Sequence, residues 1–432
     1  MLFRSIAPNK PLVILTKALH VFYANSKAFA DLGITDKTPN PSKASYYERD
    51  KKGKLTGAII EQAAGEPIRL KLQEMAKASF VANTKGILQD YAKMGVTSIV
   101  NMGFNPTNKS LFSLYEHLAA QKSKPLFQLL AFVGKLPKRQ PQQRIFLYLR
   151  KENAEMLPPK DSQTDDFYKI MGVKFWYDGS PYSGSMFLRQ PYIRSNFTVN
   201  GINLGANHTS ERLLQEEDLQ HWIEKINAKG YPVAIHAQGD IANDEVMSAF
   251  EKANKKLSVQ PFRNRVEHCM LLPKERLLDM KRLNISPSFH INHILFYGDF
   301  LSKEVIGQER VAKIFPIGST AKLGIPYSLH ADMPQFIPNP LVLASTSVNR
   351  QTEQGTIIAP QERVSVWQAL RSITIDAAWQ LHLEQKLGTI AIGKYADLVI
   401  LDKNPLKVKP EDLGKIKVLQ TIVAGNTIWE SK

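Results

Sequence analysis

Short apolar segments alternate with longer amphipathic segments through the middle of the chain. Seven of the short segments are often rich in β-branched residues and are followed by turns, as β-strands are. They lie at residues 96–102, 126–133, 172–177, 232–237, 264–269, 285–289 and 325–329. Predicted helices, with apolar residues three and four positions apart, include residues 110–121, 211–229, 243–254 and 274–283. The alternation predicts a parallel sheet whose strands are joined by crossover helices.

Four polar residues stand at or near the ends of four predicted strands. They are Lys174, His236, His268 and Asp332, and a turn follows each strand. A TIM-type (β/α)8 barrel carries its chemistry at the carboxyl ends of its strands, so this placement predicts that fold and a metal-dependent hydrolase. A closed barrel of this type needs eight strands. Because seven are predicted, we expect the barrel to lack one strand.

The two ends of the chain do not follow the alternation. Residues 1–75 include the turn-rich run DKTPNPSKASYYERDKKGKLTG and are predicted to form an insertion or flanking subdomain. Residues 386–432 include LGTIAIGKYADLVILDKNPL and VLQTIVAGNTIWE, which have the pattern of short strands joined by turns. We therefore predict the barrel over residues 76–385 and a small partial β-sandwich over residues 386–432.

Two histidines end successive predicted strands. A hydrolytic metal site needs neutral imidazoles and anionic oxygens around Zn²⁺ or a similar divalent ion, with one position open to water. A single histidine at the end of an apolar strand is more often structural than a ligand. Because His236 and His268 form a pair on successive strands, we predict that both bind metal.

The other two strand-end residues each admit two interpretations. Asp332 is either an exposed turn residue before Pro334 or a metal ligand and general base that later passes its proton to the leaving amine. We favour the second interpretation. Lys174 lies between apolar neighbours, where it either extends to solvent or is carboxylated by CO₂ to form an anionic bridge between two metal ions. Asp178 is a competing acidic candidate, and the residues alone leave this choice open.

Three further histidines are candidates for substrate binding. His290 and His293 follow one predicted strand, and His330 precedes Asp332 by two residues, so it shares the orientation of Asp332 on an alternating strand. His20 is a further pocket candidate. Core or surface roles are an equal alternative for His20, His290 and His293.

The formal net charge of +16 raises the question of nucleic acid as a partner. The basic residues are scattered and mixed with acids and prolines, which favours a solvated surface and no nucleic-acid partner. We expect no membrane association, because no apolar run approaches the roughly 18 to 20 residues of a membrane span and no signal peptide is recognised. The single cysteine, Cys269, excludes an intramolecular disulfide and favours the cytoplasm.

Several ordered motifs carry a resemblance to a known family. They are ALHVFYANSKAFADLGIT, VKFWYDGSPYSGSM, VAIHAQGDIANDEV, RNRVEHCMLL, PSFHINHILFYGD, LGIPYSLHADMP and LGTIAIGKYADLVILDKNPL. Together they cover nearly the whole chain. The chain resembles the amidohydrolase superfamily, and within it the amidohydrolase family 3 branch that includes N-substituted formamide deformylases.

The resemblance implies a fold, a reaction and a ligand set. The fold is a (β/α)8 barrel with a small β-sandwich built from both chain ends, and the reaction is hydrolysis of a carbon–nitrogen bond other than a peptide bond in a small amide-type substrate. Lys174 would be the bridging ligand of one or two divalent ions, His236 and His268 would be ligands, and Asp332 would be the general base. These are the residues that the strand ends also indicate.

The sequence departs from the family at one point. The family's first barrel strand ends in His-x-His, which supplies two metal ligands, and no His-x-His occurs in this sequence. The strand missing from the count is therefore predicted to be the first. We expect a separately encoded amino-terminal segment or a homo-oligomer as a partner.

Three hypotheses follow from the sequence. The first is a metal-dependent amidohydrolase, alone or completed by another segment. The second is a truncated and catalytically impaired remnant of one. The third is a basic binding or regulatory protein on the same scaffold.

Overall fold

The centre of the molecule is a sheet of seven parallel strands. The computed structural model describes residues 7–17, 19–76, 80–106, 109–122, 124–136 and 142–431. The strands of this sheet are β5 (Ser98–Phe104), β6 (Arg144–Arg150), β7 (Tyr168–Trp176), β8 (Val233–Ala237), β9 (Arg265–His268), β10 (Ser286–Phe289) and β11 (Ser328–Leu329). They lie side by side in chain order, and each neighbouring pair is parallel. This confirms the predicted parallel sheet, while its closure as a (β/α)8 barrel stays a prediction.

One of the seven predicted strands is wrong. Residues 126–133 belong to a helix, Pro125–Phe132, that has proline in its first turn. Proline is pre-organised for that position, and leucine, glutamine and alanine are good helix formers, so a short apolar run here does not have to be a strand. The strand is instead Arg144–Arg150. The other six predicted strands overlap observed ones.

The missed strand begins and ends in arginine, which conceals it in the sequence. All seven of its residues are buried. Arg144 can be buried because its guanidinium Nε lies 2.6 Å from Oδ2 of Asp397, far along the chain. A buried charge needs such a partner. The partner comes from tertiary structure, so the local pattern gave no signal for it.

Helices cover both the crossovers and the carboxyl-terminal part of the chain. In chain order they are α1 (Ser26–Asp31), α2 (Gln62–Ala76), α3 (Phe80–Lys93), α4 (Lys109–Ala119), α5 (Pro125–Phe132), α6 (Glu216–Ala228), α7 (Asp240–Asn254), α8 (Arg276–Leu283), α9 (Asn292–Phe300), α10 (Gln308–Val311), α11 (Ile317–Lys322), α12 (Pro340–Asn349), α13 (Val366–Ser372) and α14 (Ile375–Gln380). Helices α4, α6, α7 and α8 overlap the four predicted helices, so these predictions are confirmed.

The largest hydrophobic core lies around strands β7 to β11. Every residue of β8, β9 and β10 is buried. Helices α6 and α7 contribute Leu219, Ile223 and Phe250, which are fully buried in this core. Removing this apolar area from water is the main force that holds the strand ends in place. The candidate site is therefore built on rigid elements.

Two small antiparallel sheets flank the centre. The amino-terminal sheet has the order β1 (Val13–Leu15), β2 (Val21–Ala24), β4 (Leu55–Ile60) and β3 (Tyr46–Arg49), and it has a core of its own that includes Phe22 and Ile59. The carboxyl-terminal sheet consists of β12 (Leu398–Leu401), β13 (Val418–Val423) and β14 (Asn426–Glu430). The predicted domain boundaries, at residues 75 and 385, and the β-sandwich stay predictions. In the described ranges no helix has both the length and the apolar character needed to cross a membrane.

Candidate metal and active site

Three imidazoles meet at the carboxyl ends of three adjacent strands. His268 is the last residue of β9, His290 directly follows β10, and His330 directly follows β11. The register brings these ends level, because Phe289 pairs with His268 on one side and with Leu329 on the other. Carboxyl ends of parallel strands are where barrels of this class place their chemistry. His290 and His330 had been predicted to bind substrate, and here they lie beside His268.

The three rings face one another closely enough to share an ion. One ligand nitrogen from each of His268, His290 and His330 lies within 4.8 Å of the other two. The ring centroids of His290 and His330 are 4.7 Å apart, and those of His268 and His330 are 4.9 Å apart. We refer to these three residues as the histidine triad. Within the described ranges it is a group that fits a metal ion.

Each ring of the triad has one buried nitrogen without a hydrogen-bond partner among the described residues. These nitrogens are Nδ1 of His268, Nδ1 of His290 and Nε2 of His330. The other nitrogen of His290, Nε2, lies 3.1 Å from the carbonyl oxygen of Ala331. Buried polar atoms in proteins are nearly always paired, so three orphan nitrogens at one place require an explanation.

Burial keeps the triad neutral. It lowers the pKa of His290 to about 4, against opposing effects of the Asp332 charge and the Ala331 carbonyl. Burial also lowers the pKa of His268 and of His330 well below the usual value, and neighbouring histidines add to both shifts. Neutral imidazole is the form that binds metal. The electrostatics of the site therefore suit a cation.

His236 lies next to the triad but has other partners. It stands on β8, and its ring centroid is 4.1 Å from that of His268. Its Nε2 lies 3.3 Å from the carbonyl oxygen of Gly179 and 3.5 Å from Oδ1 of Asp178. Burial lowers the pKa of His236 well below its usual value, so the ring is neutral.

Lys174 is buried on β7, and its side chain does not reach solvent. The residue is 2% exposed, and its Nζ lies 5.4 Å from the centroid of the Trp176 ring. Burial lowers the pKa of the amine to about 8, with the charges of Glu267 and Asp332 acting in the opposite direction. A lowered pKa increases the fraction of neutral amine, which carboxylation requires. Carboxylation itself stays a prediction.

Asp332 lies at the mouth of the site and is exposed. Its backbone φ of 52° is in the left-handed region, and its carbonyl oxygen accepts a hydrogen bond from the amide of Gln335 at 2.8 Å. Its charge raises the pKa values of His20, Lys174 and His290, against the effect of burial on each. Asp332 is not a member of the close group that forms the triad.

Asp178 ties together the loops that follow β7 and β8. Its carboxylate accepts hydrogen bonds from the backbone amides of Gln238 at 2.9 Å, Gly239 at 2.8 Å and Phe187 at 3.0 Å. Burial raises its pKa to about 7, although these three hydrogen bonds oppose the shift. The carboxylate therefore positions the backbone on the side of the site where His236 lies.

The amino-terminal sheet contributes a buried acid–histidine pair to the same space. Nδ1 of His20 lies 2.6 Å from Oε2 of Glu61, and the ring centroid of His20 is 5.5 Å from that of His236. The other carboxylate oxygen of Glu61 accepts hydrogen bonds from the hydroxyls of Ser183 and Ser185. Burial alone would lower the pKa of His20, but the Glu61 charge and hydrogen bond raise it overall.

Sequence reasoning named His20 as a pocket candidate but missed Glu61. Both residues adjoin paired strands, since His20 precedes β2 and Glu61 follows β4. An acid directly after the apolar strand LTGAII was the available signal. It was overlooked because the segment was treated as a flanking region rather than as part of the site.

His293, the third predicted substrate-binding histidine, belongs to an aromatic cluster beside the triad. Its Nδ1 is hydrogen-bonded to the hydroxyl of Tyr182 at 2.6 Å. Its ring centroid is 4.1 Å from that of His290 and 5.7 Å from that of Phe336. This residue lies in the first turn of helix α9 rather than at the end of a strand. Its surroundings are those of a packed residue at the wall of the site.

A sequence profile of the amidohydrolase family matches residues 3–429. This chain belongs to the amidohydrolase family. The chain is 25% identical to the N-substituted formamide deformylase of Arthrobacter pascens, with 98% of this chain and 74% of the relative covered. It is 26% identical to protein LONG AFTER FAR-RED 3 of Arabidopsis thaliana, with 98% and 70% covered.

A solved structure of the same class has a similar fold. It is an uncharacterized metal-dependent hydrolase from Pyrococcus horikoshii OT3, with 25% identity and a TM-score of 0.67 over 94% of this chain and 74% of that chain. The predictions of a hydrolase and of the amidohydrolase resemblance are confirmed. The donor set also fits a metal, since three neutral imidazoles with an open position resemble the ligands of catalytic zinc sites.

Proposed function

We propose that this member of the amidohydrolase family hydrolyses carbon–nitrogen bonds, other than peptide bonds, in small amide or formamide-like substrates. The observation that carries the proposal is the convergence of four histidines, the buried His236, His268 and His290 and the half-buried His330, at the carboxyl ends of adjacent strands. The similarity to the N-substituted formamide deformylase of Arthrobacter pascens supports the substrate class.

The residues of the site have different roles in hydrolysis. The histidines would hold a divalent ion, Zn²⁺ or a related metal, and such an ion would lower the pKa of a bound water and polarise a carbonyl group. Asp332 acts as the general base, since it is exposed at the mouth of the site and its charge acts on His20, Lys174 and His290. It accepts a proton from the attacking water and returns it to the nitrogen that leaves.

The ligand set that the sequence predicts is Lys174, His236, His268 and Asp332. Its support is the short distance between the rings of His236 and His268 and the lowered pKa of Lys174. We propose these residues for one metal position, with carboxylated Lys174 available to bridge to a second ion. His290, His293 and His330 are then substrate-binding candidates.

We also propose partners and a compartment. The substrate is a small molecule, and the single cysteine, Cys269, favours the reducing cytoplasm. A separately encoded segment or a second copy of the chain would fit beside β5, which pairs with β6 alone among the described strands. Pairing a free strand edge removes unpaired backbone groups from water.

An impaired enzyme is the second candidate. The sequence has no His-x-His, and six of the seven residues of β5 are half-buried, whereas every residue of β8 is buried. A site in a sheet with such a weakly buried strand would bind metal weakly and turn over slowly. This hypothesis predicts a folded protein with metal but without hydrolysis.

The test combines metal analysis with a substrate panel. Purified full-length protein is assayed on N-substituted formamides and simple amides, before and after removal of metal by a chelator and after return of Zn²⁺. We expect hydrolysis that chelation abolishes and Zn²⁺ restores, and that His268→Ala removes. Hydrolysis that persists in metal-free protein overturns the proposal. A metal-loaded, folded protein that cleaves no member of the panel supports the impaired enzyme instead.

A further inference from the structure

We infer that helix α5 docks on an anionic lipid bilayer, with its apolar side inserted among the lipid headgroups. This side consists of Leu126, Leu129, Phe132 and Val133, and we call it the α5 face. Such docking is peripheral and needs no helix long enough to cross a membrane, and the described ranges contain none. It is independent of the metal site and of the proposed reaction. It replaces the expectation of no membrane association, which considered spans and signal peptides only.

The α5 face is apolar and exposed to solvent. Its four residues are each more than half exposed, and Phe132 is 86% exposed. Because they are spaced three and four positions apart, they lie on one side of the helix. Phe127 is the one buried residue of α5, and its ring centroid is 6.1 Å from that of His117. The helix therefore rests on the protein through Phe127 and presents the α5 face outward.

The apolar run at residues 126–133 has no use in the hydrophobic core. In the sequence this run predicts a buried strand, but the structure fills the sheet position with β6 and leaves the run on the surface. Four large apolar side chains exposed within eight positions are unfavourable in water alone. Contiguous exposed apolar patches mark surfaces that bind proteins or membranes.

The charge around α5 identifies the partner as anionic. Residues 117–151 contain no aspartate or glutamate. Lys122 precedes the helix and Lys135 follows it, and both are exposed. Lys124 is paired with Glu116 at 2.7 Å, so Lys122 and Lys135 are the flanking charges left for a ligand. Lysines beside an exposed apolar helix face are attracted by anionic lipid headgroups, while the apolar side chains enter the acyl boundary.

A second copy of this chain fits the α5 face less well. A twofold contact uses the same surface of both copies, so it would bring Lys122 and Lys135 of one copy toward those of the other. Like charges at short distance oppose such a contact. An anionic bilayer has the opposite charge, and the cytoplasmic leaflet, which is the one that the proposed compartment offers, is anionic.

Sedimentation with lipid vesicles tests the docking on full-length protein. One set of vesicles contains equal parts of phosphatidylglycerol and phosphatidylcholine, and the reference set contains phosphatidylcholine alone. We expect binding to the anionic vesicles to be more than about 10-fold tighter, because each lysine near an anionic surface strengthens binding about five-fold. Added salt should weaken it, since salt screens the attraction.

Two kinds of variant separate the apolar contribution from the charge. Phe132→Ser should weaken binding to anionic vesicles by more than about 10-fold, because a phenylalanine no longer leaves water. The double variant Lys122→Glu, Lys135→Glu should weaken it at least as much, and most strongly at low salt.

The matched controls lie on other helices. Leu278 on α8 is 61% exposed and Lys322 on α11 is exposed, so Leu278→Ser and Lys322→Glu should bind vesicles as the wild type does. Circular dichroism and thermal melting establish that each variant is folded. No sedimentation with anionic vesicles, or sedimentation that Phe132→Ser leaves unchanged, overturns the inference. So does a dimer in lipid-free sedimentation velocity that Phe132→Ser dissociates, because α5 would then be an interface between copies.

Tryptophan quenching locates the α5 face directly. Phe132→Trp is mixed with anionic vesicles whose acyl chains carry bromine, which quenches nearby indoles. The chain already has five tryptophans, so the quenching is compared with that of the wild type. We expect additional quenching in Phe132→Trp and none in Leu278→Trp. The same quenching in Phe132→Trp and in the wild type contradicts insertion of α5.

Discussion

The two ends of the central sheet are built differently. At one end, β9 and β10 are buried throughout, and β11 completes a row of strand ends that carries the histidine triad. At the other end, β5 is half-buried over six of its seven residues and pairs with β6 as its sole strand neighbour in the described ranges. Strand β5 is therefore longer than β9 and β10 but less deeply buried.

The difference shows where this fold places its rigidity. Precise positions for ligand nitrogens require strands that are covered on both faces, because packing fixes the rotamers of the residues at their ends. The end with the triad meets this condition, and the β5 end does not. We therefore expect changes at the triad end to lower the free energy of unfolding much more than changes near β5.

Acidification should have the largest effect on the free energy of unfolding, and this effect should come from the histidines at the triad end. Five histidines there, the half-buried His330 and the buried His236, His268, His290 and His293, have pKa values lowered mainly by burial. The unfolded chain takes up these protons near pH 6.5, whereas His290 takes up its proton only near pH 4. The stability that they contribute is therefore complete above pH 6.5 and is lost as the pH falls toward 4.

Urea denaturation of metal-free protein between pH 7.5 and 5 measures this loss. Each such group can contribute a slope of about 1.4 kcal/mol per pH unit in that window. His290→Gln should flatten the profile, and substitution of the exposed His221 by glutamine should leave it as in the wild type. A free energy of unfolding that stays constant down to pH 5 would contradict the burial of neutral histidines.

Breaking the His20–Glu61 pair should cause the next largest loss in the free energy of unfolding. Glu61→Ala leaves His20, Ser183 and Ser185 buried without their carboxylate partner. Loss of one member of a buried ion pair costs about 3 to 5 kcal/mol. The measurement is the free energy of unfolding from urea titration at pH 7.

The matched control lies on α1 of the same region. Asp31 forms an exposed pair with Lys27, and Asp31→Ala should cost less than about 1 kcal/mol. Equal losses in the two variants would show that Glu61 is not held as the structure describes.

Two substitutions of glycine by alanine should change the stability of the protein in opposite directions. At the triad end, a Cβ on Gly239 would collide with the backbone of Phe187, so Gly239→Ala should destabilise the protein by about 1 to 3 kcal/mol. On α3, beside the β5 end, a Cβ on Gly86 meets nothing within 4 Å, so Gly86→Ala should stabilise by roughly 0.5 to 1 kcal/mol. Thermal melting of the two variants checks both signs, and a stabilising Gly239→Ala would refute the close packing of this loop.

The smallest expected effect is a local difference in amide hydrogen exchange, which can be measured on the wild-type protein. Amides of β5 should exchange with deuterium faster than those of β8, since edge strands open by smaller fluctuations than buried central ones. Exchange measured by mass spectrometry on peptides from the native protein gives the comparison. Equal protection of β5 and β8 would indicate that another chain covers the β5 edge in solution.

Much of the fold could be predicted from local patterns. Six of seven strands and the parallel order follow from apolar runs and the helices between them, because both signals depend on residues close in sequence. Helix α5 was predicted as a strand because a short apolar run is ambiguous, and strand β6 was missed because the burial of Arg144 depends on Asp397. The family resemblance was carried by motifs at the strand ends and is confirmed.

The sequence by itself determined that histidines would stand at the ends of buried strands. That follows from apolar segments that end in a polar residue and a turn, which is a local property. Only the tertiary structure decided which histidines meet. Register between β9, β10 and β11 brings His290 and His330 to His268, and an antiparallel pairing brings Glu61 to His20 across 41 residues. Such contacts depend on how the strands pair within the sheets, and no local sequence pattern encodes that pairing.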